Sequence, residues 1–182
     1  GLQAVISAAQ MLMLGEAEVA VAGGAESMTR APHSTQSIRT GVKMGEMSFA
    51  DMMLGALNDP FGAGHMGITA ENVADRWAIS RHDQDAFAAE SQRRALVAIA
   101  ERRFAGQILG VEVRRGRDTV VFDTDEHPKP GTTVESLAGL RGAFRRDGTV
   151  TAGNASGIND GAAAVVLMTA DRAARHDRPP LA

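Results

Sequence analysis

The chain has 182 residues, 44% of them hydrophobic, with 19 Lys and Arg against 22 Asp and Glu for a formal charge of −3. The charges are interspersed, so there is no nucleic-acid footprint, and no apolar run reaches the ~20 residues that span a bilayer. There is no cysteine, which excludes disulfides, thiolate-bound metals and a cysteine nucleophile within these residues.

The opening stretch GLQAVISAAQMLMLG, Gly1 to Gly15, predicts a helix already under way at the first residue. Leu2, Val5, Ile6, Ala9, Leu12 and Met13 follow helical spacing, Met11 and Leu14 widen the apolar face, and only Gln3, Ser7 and Gln10 are polar. A helix that is apolar nearly all round is a buried one, so a central helix closed by Gly15 as its C-terminal cap is expected. Termini usually lie at the surface, so the chain is expected to start inside a longer one. Val19 to Ala22 reads as a short buried strand ahead of Gly23-Gly24. Helix then strand is the second half of a βαβ unit, whose first strand would lie upstream of Gly1.

From Arg30 to about Gly64 the pattern loosens into scattered Pro, Gly, Ser and Thr with isolated methionines, a long loop suited to an adaptable contact surface. GITAENVADRWAIS predicts a short helix capped by Thr69. SRHDQDAFAAESQRRALVAIAERRFAG predicts a long one with Ser80 as N-cap, Asp83 at N3, and Gly106 just past its end. Its inner side is expected to carry Phe87, Ser91, Ala95, Ala98 and Ile99. ILGVEVRRGRDTVVF reads as a hairpin around Gly116, followed by a Pro/Gly turn and a short helix from about Thr133 to Leu140. Ala162 to Met168 returns to core character. A helix begun by Thr169 and Asp171 should run to Pro179-Pro180, with Leu181 and Ala182 starting one more element.

Between these lies GNASGINDGAAAV, Gly153 to Val165. Small residues at this density let backbone approach a ligand or another backbone closely, while Asn159 and Asp160 can hold the turn. On the residues alone the string fits either a tight structural turn or a ligand loop, with Ser156 offering a hydroxyl.

TAGNASGINDGAAAVVLM resembles a signature of the thiolases, which condense or cleave acyl-coenzyme A thioesters. GGAESMTRAPH, RTGVKMGE, GHMGITAENVA, SRHDQDAFAAESQ and GTTVESLAGLRGAF also resemble thiolase segments, in thiolase order. The GVKMGE and GHMG segments most resemble the biosynthetic acetyl-CoA acetyltransferases. The resemblance implies an α/β fold, part of a layered α/β core with an inserted α+β loop domain. Residues 1–29 and 149–182 would belong to the N-terminal core half, and 30–148 to a loop domain covering the active site, including a tetramerisation-type loop.

The resemblance also implies where the chemistry sits. In thiolases a Cys-x-Ser directly precedes the segment equivalent to GLQAV, so the acyl-accepting cysteine is expected just before Gly1. There a helix N-terminus favours the thiolate and covalent catalysis splits acyl transfer into two steps. The histidine base and second cysteine are expected after Ala182, so no catalytic residue is assigned within the chain. His65 and Met66 match the segment that lines the acyl/pantetheine pocket, with a plain core histidine as the other reading of His65. Ser136, Phe144, Ala152, Ser156 and Ile158 are implied to line the pantetheine and adenine side, and Lys129 to meet the nucleotide phosphates unless it is an exposed turn lysine. His33, His82, His127 and His176 read as solvated, as do Arg141, Arg145 and Arg146. Coenzyme A thioester is thus the expected substrate, with no cofactor, metal, nucleic acid or membrane. The intact parent is expected to be a cytoplasmic homo-oligomer, dimer or tetramer. A degradative 3-ketoacyl-CoA thiolase, a non-catalytic coenzyme A binder or assembly piece, and a partial gene product remain alternatives.

Overall fold

The computed structural model describes residues 1–181. In chain order the elements are α1 (Leu2–Met13), β1 (Val19–Glu26), β2 (His33–Ser34), β3 (Ala50–Asp51), α2 (Met52–Ala56), β4 (Asn58–Asp59), β5 (Gly64–His65), α3 (Met66–Arg76), α4 (Arg81–Ala100), β6 (Val111–Arg115), β7 (Asp118–Phe122), α5 (Val134–Ala138), β8 (Gly161–Met168) and α6 (Ala170–Arg175). They form two compact units: Gly1–Pro32 with the segment from Ile158 onward, and His33–Gly157.

In the first unit β1 pairs antiparallel with β8, from Val19 opposite Met168 to Glu26 opposite Gly161, and α1 packs on both strands. The helix closes as expected at Gly15, which turns to φ +72°. The Gly15 N–H then reaches the Leu12 carbonyl at 3.2 Å and the Glu16 N–H the Met11 carbonyl at 2.9 Å, the two bonds of a Schellman motif. Burial departs from the sequence reading. Only Ala8 and Leu12 of α1 and Ala22 of β1 are buried, while Met13 is 85% exposed. The two strands cover one side of the helix, and among the described residues nothing covers the other apolar side. β1 has only antiparallel β8 as hydrogen-bonded neighbour among the described residues. The Thr169 hydroxyl caps α6, which ends at Arg175, short of the prolines, where Asp177 turns to φ 51°. Leu181 is irregular, and Ala182 lies outside the described residues.

The second unit begins as the loose segment its sequence predicts, with the two-residue pairs β2–β3 and β4–β5 and the five-residue α2. α3 starts four residues earlier than the Thr69 cap would place it. His65 is the cap, its Nδ1 accepting the Gly67 N–H at 3.0 Å. Thr69 sits inside the helix, its hydroxyl donating back to the Met66 carbonyl at 2.6 Å. α4 does start at Ser80, whose hydroxyl accepts the Asp83 N–H at 3.1 Å and donates to the Asp83 carboxylate at 2.6 Å. It stops at Ala100, well before Gly106, because Arg102 turns to φ 54°. The residues it buries are Asp85 and Ala98; Phe87, expected inside, is 79% exposed. β6 and β7 form the expected hairpin, and α5 starts in a capping box between Thr133 and Ser136. Residues 149–157 pack with this unit rather than with the first, as the 148/149 division would have it. No helix among the described residues is long and apolar enough to cross a membrane.

Candidate functional site

The informative turn, Thr149 to Gly157, is fixed by buried polar groups that lie far from it in sequence. Glu71, Asp85 and Thr151 have almost no solvent exposure. One Glu71 oxygen accepts the Thr149 N–H at 3.0 Å and its hydroxyl at 3.2 Å, and the other accepts the Val150 N–H at 2.9 Å. Arg145 reaches Glu71 at 3.5 Å and Asp75 at 2.8 Å, so it is exposed, as the sequence suggests, but ion-paired. Burial raises the pKa of Glu71, but the Thr149 and Val150 N–H groups, the Thr149 hydroxyl and Arg145 outweigh it and leave the carboxyl below its ordinary value.

Asp85 performs the same service from α4. It accepts Arg81 Nε at 2.7 Å and Asn154 Nδ2 at 2.9 Å, and Arg81 also donates to the carbonyls of Leu137 and Leu140 at 2.6 and 3.1 Å. Asn154 completes the turn, its Oδ1 accepting the Thr151 N–H at 2.7 Å while Nδ2 also donates to the Thr149 carbonyl at 3.1 Å. A Cβ at Gly153 would press on the side-chain ends of Leu137 and Leu140, so glycine lets these leucines pack closely against the turn. The dense small residues thus serve a structural turn first, and the turn then presents Ala155, Ser156 and Gly157 to a cleft.

That cleft, about 370 Å³, is lined by Phe87, Ala88, Ser91, Gln92 and Ala95 of α4, by His127 and Pro128, and by Gly153–Gly157. The α4 side chains expected to face the core therefore partly face the cleft. Lys129 is exposed beside it, its N–H donating to Gln92 Oε1 at 2.9 Å and its carbonyl accepting the Thr132 hydroxyl. Ala152 and Ser156 share the turn and are exposed.

A second cluster gathers His65 and Phe144, whose rings stack 4.9 Å apart at 24°. The Phe144 ring lies where a Cβ of Gly67 would be, so glycine at the start of α3 is what admits it. His65 is half-buried, with Nδ1 committed to the Gly67 N–H, which in the neutral ring leaves the proton on Nε2. Met66 is 56% exposed. The Ser136 hydroxyl is engaged in the α5 cap, accepting the Thr133 N–H at 3.0 Å and donating to the Thr133 carbonyl at 2.8 Å. Ile158 belongs to the first unit and is 56% exposed there. The structure thus joins His65 with Phe144 and Ala152 with Ser156, and leaves Ser136 with its hydroxyl committed to a helix start.

Sequence reasoning missed Glu71, Asp85 and Asn154. Only the i, i+4 spacing of Arg81 and Asp85 hinted at a pair. Within the first unit, a groove of about 670 Å³ runs between Gly1, Leu2 and Val5 of the α1 start and the Ala22–Glu26 and Gly161–Val165 strand segments. Asp160 ties that sheet end together, accepting the Thr29 N–H at 3.0 Å and hydroxyl at 2.5 Å and the Ser27 hydroxyl at 3.3 Å. The Thr29 hydroxyl is the main reason that its carboxyl sits below the ordinary value.

The family model for the thiolase N-terminal domain matches residues 1–171. Over its full length the chain is 52% identical to beta-ketothiolase BktB of Cupriavidus necator and 50% identical to the acetyl-CoA acetyltransferase of Pseudomonas aeruginosa, covering 46% and 47% of those proteins. It spans about half the length of the curated relatives it matches. Among solved structures it superposes on the acetyl-CoA acetyltransferase of Bacillus anthracis with a TM-score of 0.92 at 43% identity, covering 100% of this chain and 46% of that one. Human mitochondrial 3-ketoacyl-CoA thiolase in complex with CoA gives 0.88 at 38% identity, covering 100% of this chain and 45% of that one.

Proposed function

Because the chain belongs to the thiolase family and has its α/β fold, we propose that it forms the N-terminal half of an acetyl-CoA C-acetyltransferase. The parent reaction is the Claisen condensation of two acetyl-CoA to acetoacetyl-CoA plus CoA, or the reverse thiolysis. The observation that carries this reading is similarity over all of this chain, at 50% identity, to part of an acetyl-CoA acetyltransferase, with the structure of another matched over all of this chain.

In this reading residues 30–148 form the loop domain and residues 149–182 return to the core half. The Ala152–Ser156 turn and the His65–Met66 corner line the pantetheine arm of coenzyme A, and Lys129 offers its charge to the phosphates. Ser136 and Phe144 extend the wall toward the adenine. The 182 residues hold no cysteine, so the nucleophile and the second cysteine come from the rest of the parent protein, as does the histidine base. The exposed apolar sides of α1 and of the β1–β8 pair are covered by that remainder and by neighbouring subunits in a homo-oligomer, dimer or tetramer. The assembly acts in the cytoplasm without a resident cofactor.

The test is a chimera in which this chain replaces the matching segment of the 52%-identical relative. The expected result is CoA-dependent cleavage of acetoacetyl-CoA by the chimera and none by the 182-residue chain alone. A soluble, folded chimera without thiolysis or condensation overturns the reading. The match to human 3-ketoacyl-CoA thiolase supports a second reading, a degradative enzyme. Faster cleavage of longer 3-ketoacyl-CoA substrates than of acetoacetyl-CoA would favour it.

A further inference from the structure

We propose that Glu71 is a positioning residue for the coenzyme A pocket, its buried carboxylate setting the register of the Thr149–Ser156 turn against the His65–Met66 end of α3. The proposal rests on the coenzyme A reading above. α3 runs as a ruler beneath the segment that leads into the turn. At its start His65 stacks on Phe144; six residues on, ~9 Å along the axis at 1.5 Å per residue, Glu71 takes Thr149 and Val150. One helical turn later Asp75 holds Arg145 at 2.8 Å. Residues 144, 145, 149 and 150 are thus laced to one side of a single helix.

The Glu71 contacts have a form suited to fixing direction. Two successive backbone N–H groups are received by two different oxygens of one planar carboxylate, which sets both the position and the heading of the chain as it enters the turn. A fully buried carboxylate is a costly way to gain stability, since desolvation opposes it. Every further bond that Glu71 accepts comes from the segment containing the turn: the Thr149 hydroxyl and Arg145. Thr151, Asn154 and then Ser156 follow directly from the anchored residues.

The experiment compares the 182-residue chain with its Glu71→Gln, Ser156→Ala and Ala98→Gly variants. It reads hydrogen exchange at the Thr149 and Val150 amides and the dissociation constant for CoA by calorimetric titration. Glutamine keeps the size but offers one acceptor where two are used, so exchange at these amides should accelerate about tenfold and CoA affinity fall about fivefold. Ala98→Gly, which lowers stability from within α4, should change neither. Unchanged amide exchange in Glu71→Gln overturns the proposal. So does faster exchange with unchanged CoA affinity, or an equal affinity loss in Ala98→Gly, which would make affinity a mere reflection of stability. If Glu71→Gln does not fold, Thr149→Val removes the hydroxyl's bond to Glu71 together with the one it accepts from Gln84 at 3.0 Å, and Gln84→Ala, which leaves the Glu71 bond in place, is its control. Thr149→Val should weaken CoA binding about twofold relative to that control, the low end for one hydrogen bond, and no difference overturns the proposal. If Ser156→Ala weakens binding and Glu71→Gln does not, the proposal fails alone. If the unsubstituted chain does not bind CoA, the reading beneath it fails and takes the proposal with it.

Discussion

Replacing Asp85 with alanine removes a carboxylate that is 1% exposed and receives Arg81 Nε at 2.7 Å and Asn154 Nδ2 at 2.9 Å. Breaking a buried pair costs ~3–5 kcal/mol when the surviving charge is stranded. Arg81 is not stranded: its side chain is 25% exposed and it keeps the carbonyls of Leu137 and Leu140. Asn154 keeps the Thr149 carbonyl. The loss is therefore two bonds to a charged acceptor at the low end of their range, ~1.5 kcal/mol each, or about 3 kcal/mol together. Asp85→Asn retains one acceptor and should cost about half as much. The assay is urea unfolding followed by far-UV circular dichroism, with equal slopes as the check that only stability changed. In the cycle with Asn154→Ala the coupling should be about 1.5 kcal/mol. A cost for Asp85→Ala below about 0.5 kcal/mol, the range of an ordinary surface substitution, would refute the claim that this carboxylate holds the turn.

Glu71 ionises below its ordinary 4.5 in the folded chain, so its contribution is full above that value and is lost as pH falls through the lower folded pKa. The stability gap between the chain and Glu71→Gln should shrink in acid, and a gap that stays constant contradicts this. Gly67→Ala places a methyl against the Phe144 ring and should cost ~1–3 kcal/mol in urea unfolding while shifting the His65 ring resonances; unchanged stability and resonances contradict it. Lys129→Ala should weaken CoA binding at 0.1 M salt and hardly at 1 M, where the Debye length falls from about 10 Å to about 3 Å, whereas the Ser156→Ala loss should be independent of salt. With its apolar α1 and β1–β8 surfaces exposed, the chain should sediment above its 19.1 kDa monomer mass, and a monomer at all concentrations would contradict that.

What could be read from the sequence was local. Ser80, Gly15 and Thr133 act through bonds to residues within five positions of themselves and Gly116 through its own backbone at φ +65°, and such chemistry is written in short spacings. The capping role of His65 is not legible in the sequence, because an imidazole that caps a helix shows itself only once the Gly67 N–H is placed against it. Glu71 and Asp85 escaped for a different reason. A single acid on a polar helix reads as solvated, and its partners lie 78 and 69 residues away at Thr149 and Asn154. The apolar pattern of α1 places apolar residues on several sides of the helix, of which only the side toward β1 and β8 is covered, because a pattern carries no information about which residues do the covering. The turn stands out for its small residues, and at Gly153 the missing side chain leaves room for the ends of two leucines of the preceding segment.

The most direct test of the central claim is an NMR titration of the isotope-labelled 182-residue chain with CoA. The account predicts saturable amide shifts concentrated at Ala152–Ser156, His65–Met66, Ser136, Phe144 and Lys129. No shifts, or shifts confined to residues outside these segments, would contradict it.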